Sequence, residues 1–268
     1  MELKMIDPFQ NVDNSGIDFA QATAKTMEVR QSEPIMERLV SNYLSKLEFK
    51  NNSLTVEIGC GAGSISRRIS KQAGAARVMG FDPSSNYIEM AKRDSKDHKN
   101  LTLTVADGEH IPLEDGSVDN VIFHTVLSHV KKPSLLVTEA YRLLSNDGKM
   151  VICDADFSKG TLKCCADDPL SIASASFVRS HVTDPHLLTK VKPLISDIGF
   201  EIENFEVTSR IVTGNGMRMW VETAAKGMVE RNEIGGPLAD ALVAEYDRRV
   251  KNETLYGFLP FFTFIVKK

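Results

Sequence analysis

Between residues 54 and 157 the chain alternates short apolar runs with segments whose apolar residues recur at helical spacing. The first run, Val56-Glu57-Ile58, predicts a strand, and Ser64 to Ala73 after it a helix. The pairing recurs as Ala76 to Phe81 followed by Ser84 to Arg93, and a third strand is predicted at Leu101 to Ala106. A fourth strand falls at Asn120 to Phe123 and a fifth at Lys149 to Cys153. Between those two, Leu135, Leu136, Ala140, Leu143 and Leu144 share one face of a helix from about Pro133 to Leu144, which Asp147-Gly148 is expected to end. Such alternation predicts an α/β fold, doubly wound around a mostly parallel sheet. Downstream, Pro193 to Phe200 reads as a helix end feeding a sixth strand, Glu201 to Ser209, with phenylalanine-rich Gly257 to Val266 as the seventh.

The first strand runs into Gly59-Cys60-Gly61-Ala62-Gly63, where glycine recurs at every second position. Lacking a Cβ, such a backbone takes up positive φ and lets a ligand approach closely, and the helix that follows points unpaired N–H groups at it. The pattern reads as a nucleotide-cofactor cradle. Asp82 ends the second strand about 20 residues past the glycines, placed to bind the two ribose hydroxyls of an adenosine. The third strand ends in Asp107-Gly108-Glu109, which puts another carboxylate on the same sheet edge, where an adenine amino group can donate to it.

The segment that follows, Ile111-Pro112-Leu113-Glu114-Asp115-Gly116-Ser117-Val118-Asp119, turns these features into a more specific pattern. Together they strongly resemble the class I S-adenosylmethionine-dependent methyltransferases, closely over about Leu54 to Asp156. The resemblance implies S-adenosyl-L-methionine as cofactor, with S-adenosyl-L-homocysteine as product. It places Glu57, Gly59, Cys60, Gly61 and Gly63 around the methionine part, Asp82 with Pro83 and Ser84 at the ribose, and Asp107, Gly108 and Glu109 at the adenine. The backbone near His124 would receive the methionine amino group. It further implies seven strands in the order 3-2-1-4-5-7-6, with strand seven antiparallel. Two departures are mild: Glu57 stands where aspartate is commoner, and Asn146-Asp147-Gly148 replaces the usual Pro-Gly-Gly.

At 268 residues the chain is expected to form a single elaborated domain, 1–268, with 51–157 as its cofactor-binding core. Three segments lie outside the strand pattern, 1–50, 157–190 and 210–256, and are expected to form helical lid insertions over the carboxyl ends of the strands, where open α/β sheets bind ligands. The first contains Phe9, Phe19, Met27 and a helix from about Glu33 to Leu47. The third holds the only tryptophan, Trp220, near Met217, Met219 and Met228, a stripe more typical of a helix interface than of a pocket. The lengths of these insertions favour an enclosed pocket for a small molecule.

Charge and cysteine usage narrow the partners. With 32 basic against 36 acidic residues the net charge of −4 gives no footprint for nucleic acid. No run approaches the length of a membrane span, and Met1 to Asp7 shows no leader, so a cytoplasmic protein is expected, with a homo-oligomer left open. Cys60, Cys153, Cys164 and Cys165 lack C-x-x-C spacing, and no metal site is expected. The adjacent pair Cys164-Cys165 could hold a soft metalloid. Arsenic methyltransferases share the fold, but they carry an asparagine-cysteine motif where this chain reads His124-Thr125-Val126-Leu127.

The sulfonium makes its methyl group electrophilic without help from the protein, so the chain's tasks are alignment, exclusion of water and, for a hydroxyl, removal of a proton. His129 after strand four and Asp154 at the end of strand five are the first candidates for the base, with His124 and His181 behind them. The expected activity is methyl transfer to O, N or C of a small apolar or aromatic metabolite. The ubiquinone and menaquinone C-methyltransferases and natural-product methyltransferases are nearest in pattern. C-methylation that also guides a cyclisation, or binding of the cofactor without transfer, are the alternatives. A nicotinamide-dependent oxidoreductase fits neither the glycine spacing nor the Asp107 segment.

Overall fold

A computed structural model describes residues 7–74 and 76–268. The reading of residues 1–6 as a start without a leader lies outside the described residues. Seven strands form one sheet among the described residues: β1 (Leu54–Ile58), β2 (Arg77–Asp82), β3 (Leu101–Val105), β4 (Val118–His124), β5 (Leu144–Ala155), β6 (Glu201–Val212) and β7 (Gly257–Lys267). Their order is β3-β2-β1-β4-β5-β7-β6, as the family pattern implies. The first five are parallel, and β7 runs antiparallel to both β5 and β6.

Strand alternation separates two apolar layers. Val121 and Phe123 of β4, with Met150 and Ile152 of β5, face α5 (Pro133–Leu143) and α7 (Leu188–Ile198). On the other face, Ile122, Val151 and Cys153 meet α2 (Pro34–Leu44) and α3 (Ser64–Ala73). The same layer continues through α6 (Leu170–His181), α8 (Arg218–Glu230) and α9 (Gly236–Lys251). Helix α4 (Ser85–Asp94) covers β3 through Ile88, Ala91 and Leu103. Phe200 follows Gly199, whose φ of 107° closes α7 before β6 begins.

Asp147-Gly148 does not end helix α5. The helix stops at Leu143, and Leu144 already pairs with Val118, after which the register jumps to Asn120 opposite Lys149. Residues 145–148 are therefore a bulge within β5, tolerated because Leu144 is fully buried and fixes the strand's start ahead of it. Helix α1 (Ile17–Gln31) was not visible in the sequence pattern, since the side it buries is made of Ala20, Thr23, Ala24 and Gln31 and carries no large apolar stripe. The connection between β6 and β7 is no tight hairpin turn: it contains α8 and α9 before Gly257 returns to pair with Val212.

Candidate active site

The glycine turn is held by the neighbouring strand. Gly59 and Cys60 N–H groups both donate to the Phe81 carbonyl, at 2.7 and 3.0 Å. Gly59 has φ of 75°, and a Cβ built there would lie 2.6 Å from Val126 Cγ2, so glycine is required by both conformation and packing. Gly61 then donates its N–H to Asp82 Oδ2 at 2.8 Å, while Asp82 Oδ1 accepts from Ser84 N at 2.9 Å. Burial pushes the Asp82 carboxyl up to about 6, against the pull of these two backbone donors. Each of its oxygens retains lone-pair capacity for a further donor.

A cavity of about 580 Å³ opens along these strand ends. Gly59, Gly61, Asp82, Pro83, Ser84, Asp107, Gly108 and Glu109 all line it. Asp107 Oδ1 accepts from Glu109 N at 3.0 Å, which shapes the turn, and a Cβ at Gly108 would lie 2.8 Å from Ile58 Cγ2. Three residues expected here turn elsewhere. Glu57 is buried with Ser66 donating to its carboxyl, which burial pushes up to about 8. Cys60 packs with Ile88, Ala91 and Leu103, and a Cβ at Gly63 would press on Ala91 at 3.0 Å, so both serve the contact with α4.

Residues 7–13 run along the cavity wall and are tied down at both ends. Asp13 accepts from Ser85 N and Oγ, both at 2.8 Å, and from Asn86 Nδ2 at 3.0 Å, at the start of α4. Against the upward pull of burial, these donors and Ser84 bring its carboxyl down to about 2. At the other side Asp7, 3% exposed, accepts from His129 Nδ1 at 2.9 Å and from Thr183 N at 3.0 Å. Phe9, Gln10, Asn11 and Val12 between these anchors face the cavity.

Aromatic rings form the opposite wall. Phe9 and His129 lie 4.9 Å apart, His129 and Phe157 5.7 Å, Phe157 and Trp220 5.8 Å, and Trp220 stacks on Phe177 at 4.6 Å. All five line the cavity, together with Met219, whereas Met217 and Met228 are buried in the core. The methionine stripe is thus split between interface and pocket. Segments 1–50, 157–190 and 210–256 each contribute to the wall through residues such as Phe9, Phe157 and Trp220.

Of the four candidate bases only His129 reaches the cavity. Asp154 was expected beside it, but its carboxylate is buried and accepts from Ser128 N, Ser128 Oγ and Ala155 N, at 3.1, 2.8 and 2.8 Å. His124 is enclosed between Gln31, whose Nε2 lies 2.9 Å from its Nε2, and the Tyr43 hydroxyl, 3.2 Å from its Nδ1. Burial, reinforced by Arg30, holds it well below the ordinary histidine range and therefore neutral. His181 stacks on Phe177 at 4.7 Å, pairs with Ser180 Oγ at 2.8 Å and does not line the cavity. Sequence reasoning missed Asp7, Asp13, Arg30 and Thr125, whose partners are distant in the chain. Thr125 follows β4 at φ of 55°, in the left-handed region unusual for a β-branched residue, and accepts from Arg30 Nη2 at 3.1 Å.

Residues 56–152 match the family model described as a methyltransferase domain. Over those residues the chain is similar to that family. A ubiquinone/menaquinone biosynthesis C-methyltransferase, UbiE of Citrifermentans bemidjiense, is 30% identical to it over 128 residues, covering 46% of this chain and 54% of that protein. The chain spans about half the length of the curated relatives it matches, 40% and 54% for two of them. Among solved structures the chain is similar in fold to the 4+2 cyclase SpnF, with a TM-score of 0.57 at 16% identity over 87% of this chain and 81% of that one. It is also similar to phosphoethanolamine N-methyltransferase 2 of Haemonchus contortus in complex with S-adenosyl-L-methionine, with a TM-score of 0.54 at 18% identity over 85% and 52%. Among the described residues no helix is long and apolar enough to cross a membrane.

Proposed function

We propose that this chain is an S-adenosylmethionine-dependent methyltransferase that methylates a small aromatic or apolar metabolite, with an acceptor hydroxyl or enol deprotonated by His129. The observation that carries this reading is the Asp7–His129 pair at 2.9 Å, set in an aromatic wall of the same cavity that the glycine turn and Asp82 line.

The donor side of the cavity fits a nucleoside. The backbone at Gly59, Gly61 and Gly108 leaves room that a Cβ would take, and buried Asp82 has acceptor capacity for two vicinal hydroxyls. Asp107 and Glu109 lie farther along the same wall, where an exocyclic amino group would find acceptors. Bound there, the cofactor supplies a methyl group made electrophilic by its sulfonium.

The chain's own part is positioning and proton removal. Asp7, an acceptor only, requires the proton of His129 on Nδ1, which leaves Nε2 as the basic nitrogen. Thr183 donates its N–H to the same carboxylate and so fixes Asp7 as well. Phe9, Phe157 and Trp220 exclude water from a planar acceptor and orient it by stacking. C-methylation that guides a cyclisation is a second reading, supported by the apolar wall.

The test is incubation with methyl-labelled S-adenosylmethionine and a metabolite extract, read by mass spectrometry. Label on an oxygen, lost in His129→Ala, is the expected result. Label on carbon that survives the substitution would favour the second reading. Cofactor binding with no label moved in extracts or candidate acceptors would favour a binding protein.

A further inference from the structure

Strand β6 is the last in the sheet order, so one side of its backbone has no neighbouring strand. The hydrogen bonds of β7 fix which residues face that side. Phe258 uses both its N–H and its carbonyl on Thr161, at 2.8 and 2.9 Å, and the Pro260 carbonyl accepts from Asp156 N at 2.9 Å, all on the side of β7 away from β6. Antiparallel pairs alternate, so Ile211 and Ser209, opposite Phe258 and Pro260, turn their N–H and carbonyl groups away from β7, as do Val207 and Phe205 farther back. Among the described residues no loop or helix backbone pairs with these four. Their side chains share one face of the strand, and three are large, apolar and half exposed: Phe205 at 48%, Val207 at 55% and Ile211 at 52%. The other face is covered by α2, where Lys46 donates to Asn204 and Glu206, and Glu33 accepts from Arg210. From 205 to 211 the strand has no proline or lysine, the usual guards of a free edge.

We propose that this edge pairs with the same edge of a second copy of the chain, antiparallel, with the twofold axis at Thr208. The strand's own symmetry selects this occupant. About Thr208, Phe205 lies opposite Ile211 of the second copy and Val207 opposite its Ser209, so all four outward residues meet as hydrogen-bonded pairs. No other centre pairs all four with one another. The charges agree with it. Glu206 comes opposite Arg210 of the second copy, while Glu201 and Glu203 fall beyond Val212, where its β6 ends, so no like charges face each other across the axis. Phe205 and Ile211, exposed in one copy, cover each other between two, and the two seven-stranded sheets become one.

Sedimentation velocity of the whole chain between about 1 and 100 μM tests this, with Val207→Pro and Val207→Lys in parallel. Proline at 207 removes an outward N–H and leaves the ladder with β7 intact. Lysine there sets like charges on the diagonal across the axis. The unaltered chain is expected at twice the mass of one chain, and each variant at the mass of one chain with its circular dichroism and thermal melting retained. Should Val207→Pro not fold, Val207→Lys decides alone. A monomeric unaltered chain would leave the edge to a strand of some other partner and overturn the proposal, as would a dimer kept by every folded variant. Cross-linking reads the register. In a chain carrying Cys164→Ser and Cys165→Ser, Thr208→Cys is expected to give a disulfide-linked dimer with diamide, since its two copies face each other at about 4.5 Å. Glu206→Cys is expected to link at least about tenfold more slowly, its two copies lying roughly 13 Å apart along the strands, beyond disulfide reach. No link through position 208, or equal linking through 206, overturns the pairing.

Discussion

His129 and Asp7 are 122 positions apart in the chain, yet the imidazole Nδ1 and the carboxylate Oδ2 meet at 2.9 Å. The contact joins the end of the short helical turn after β4 to the segment whose residues Phe9 to Val12 line the cavity.

Replacing His129 by alanine is expected to lower turnover by roughly 10² to 10⁴ for a hydroxyl acceptor while leaving donor affinity within about twofold. Asp7→Asn, which frees the imidazole to rotate, should lower kcat by about tenfold with a smaller change in KM. Steady-state kinetics with a direct measurement of donor binding checks both, and unchanged kcat in His129→Ala would reduce the residue to packing.

Asp82 is expected to hold the ribose hydroxyls, and its Ala variant to bind S-adenosylmethionine at least about tenfold more weakly, since two hydrogen bonds to a charged acceptor are lost. Burial raises this carboxyl to about 6, so its charged form is the minor one below that pH. Donor affinity of the unaltered protein should therefore fall as pH drops through 6, and Asp82→Asn should show a lower, flatter profile. Equilibrium dialysis between pH 5 and 8 reads both.

Glu57 separates a structural acid from a ligand. Its carboxyl is raised to about 8 when folded, above its unfolded value, so the folded state holds the extra proton between the two. Stability from this group is then present at low pH and is lost as pH rises toward 8. Glu57→Gln, which mimics the neutral form, should melt with the unaltered protein at pH 5 and above it at pH 9, with donor affinity unchanged. A large loss of affinity would return Glu57 to the donor site.

Thiol chemistry reports the core directly. Cys60 and Cys153 are buried, and burial pushes the first well above the ordinary thiol range and the second up to about 12, whereas Cys164 and Cys165 are exposed. Maleimide should label two thiols rapidly in the native protein and four after denaturation. Mass spectrometry of the labelled chain checks the assignment, and rapid native labelling of Cys60 would mean that the glycine turn is open.

The α/β alternation and the glycine turn were legible because each rests on short-range signals, whereas the sheet order came from the family resemblance. Strand runs, helical spacing and a Gly59-Gly61-Gly63 turn followed by Asp82 declare themselves within about thirty residues. The start of β5 was misplaced because Asp147-Gly148 has turn chemistry locally, whereas the pairing of Leu144 with Val118 decides the register. Likewise α1 hid behind small residues, since its partners needed no bulk.

The sequence by itself determined the fold class, the glycine turn and which types of side chain were available for chemistry, because backbone conformation and apolar periodicity are local properties. Only the tertiary structure decided which of those side chains face the cavity. Asp154 and His124 sit at strand ends beside it but are consumed by Ser128, Ala155, Gln31 and Tyr43, while Asp7 and Arg30, unremarkable in sequence, are brought to its wall. A buried polar group takes whatever partner the packing supplies, and that partner is set by chain segments far away in sequence.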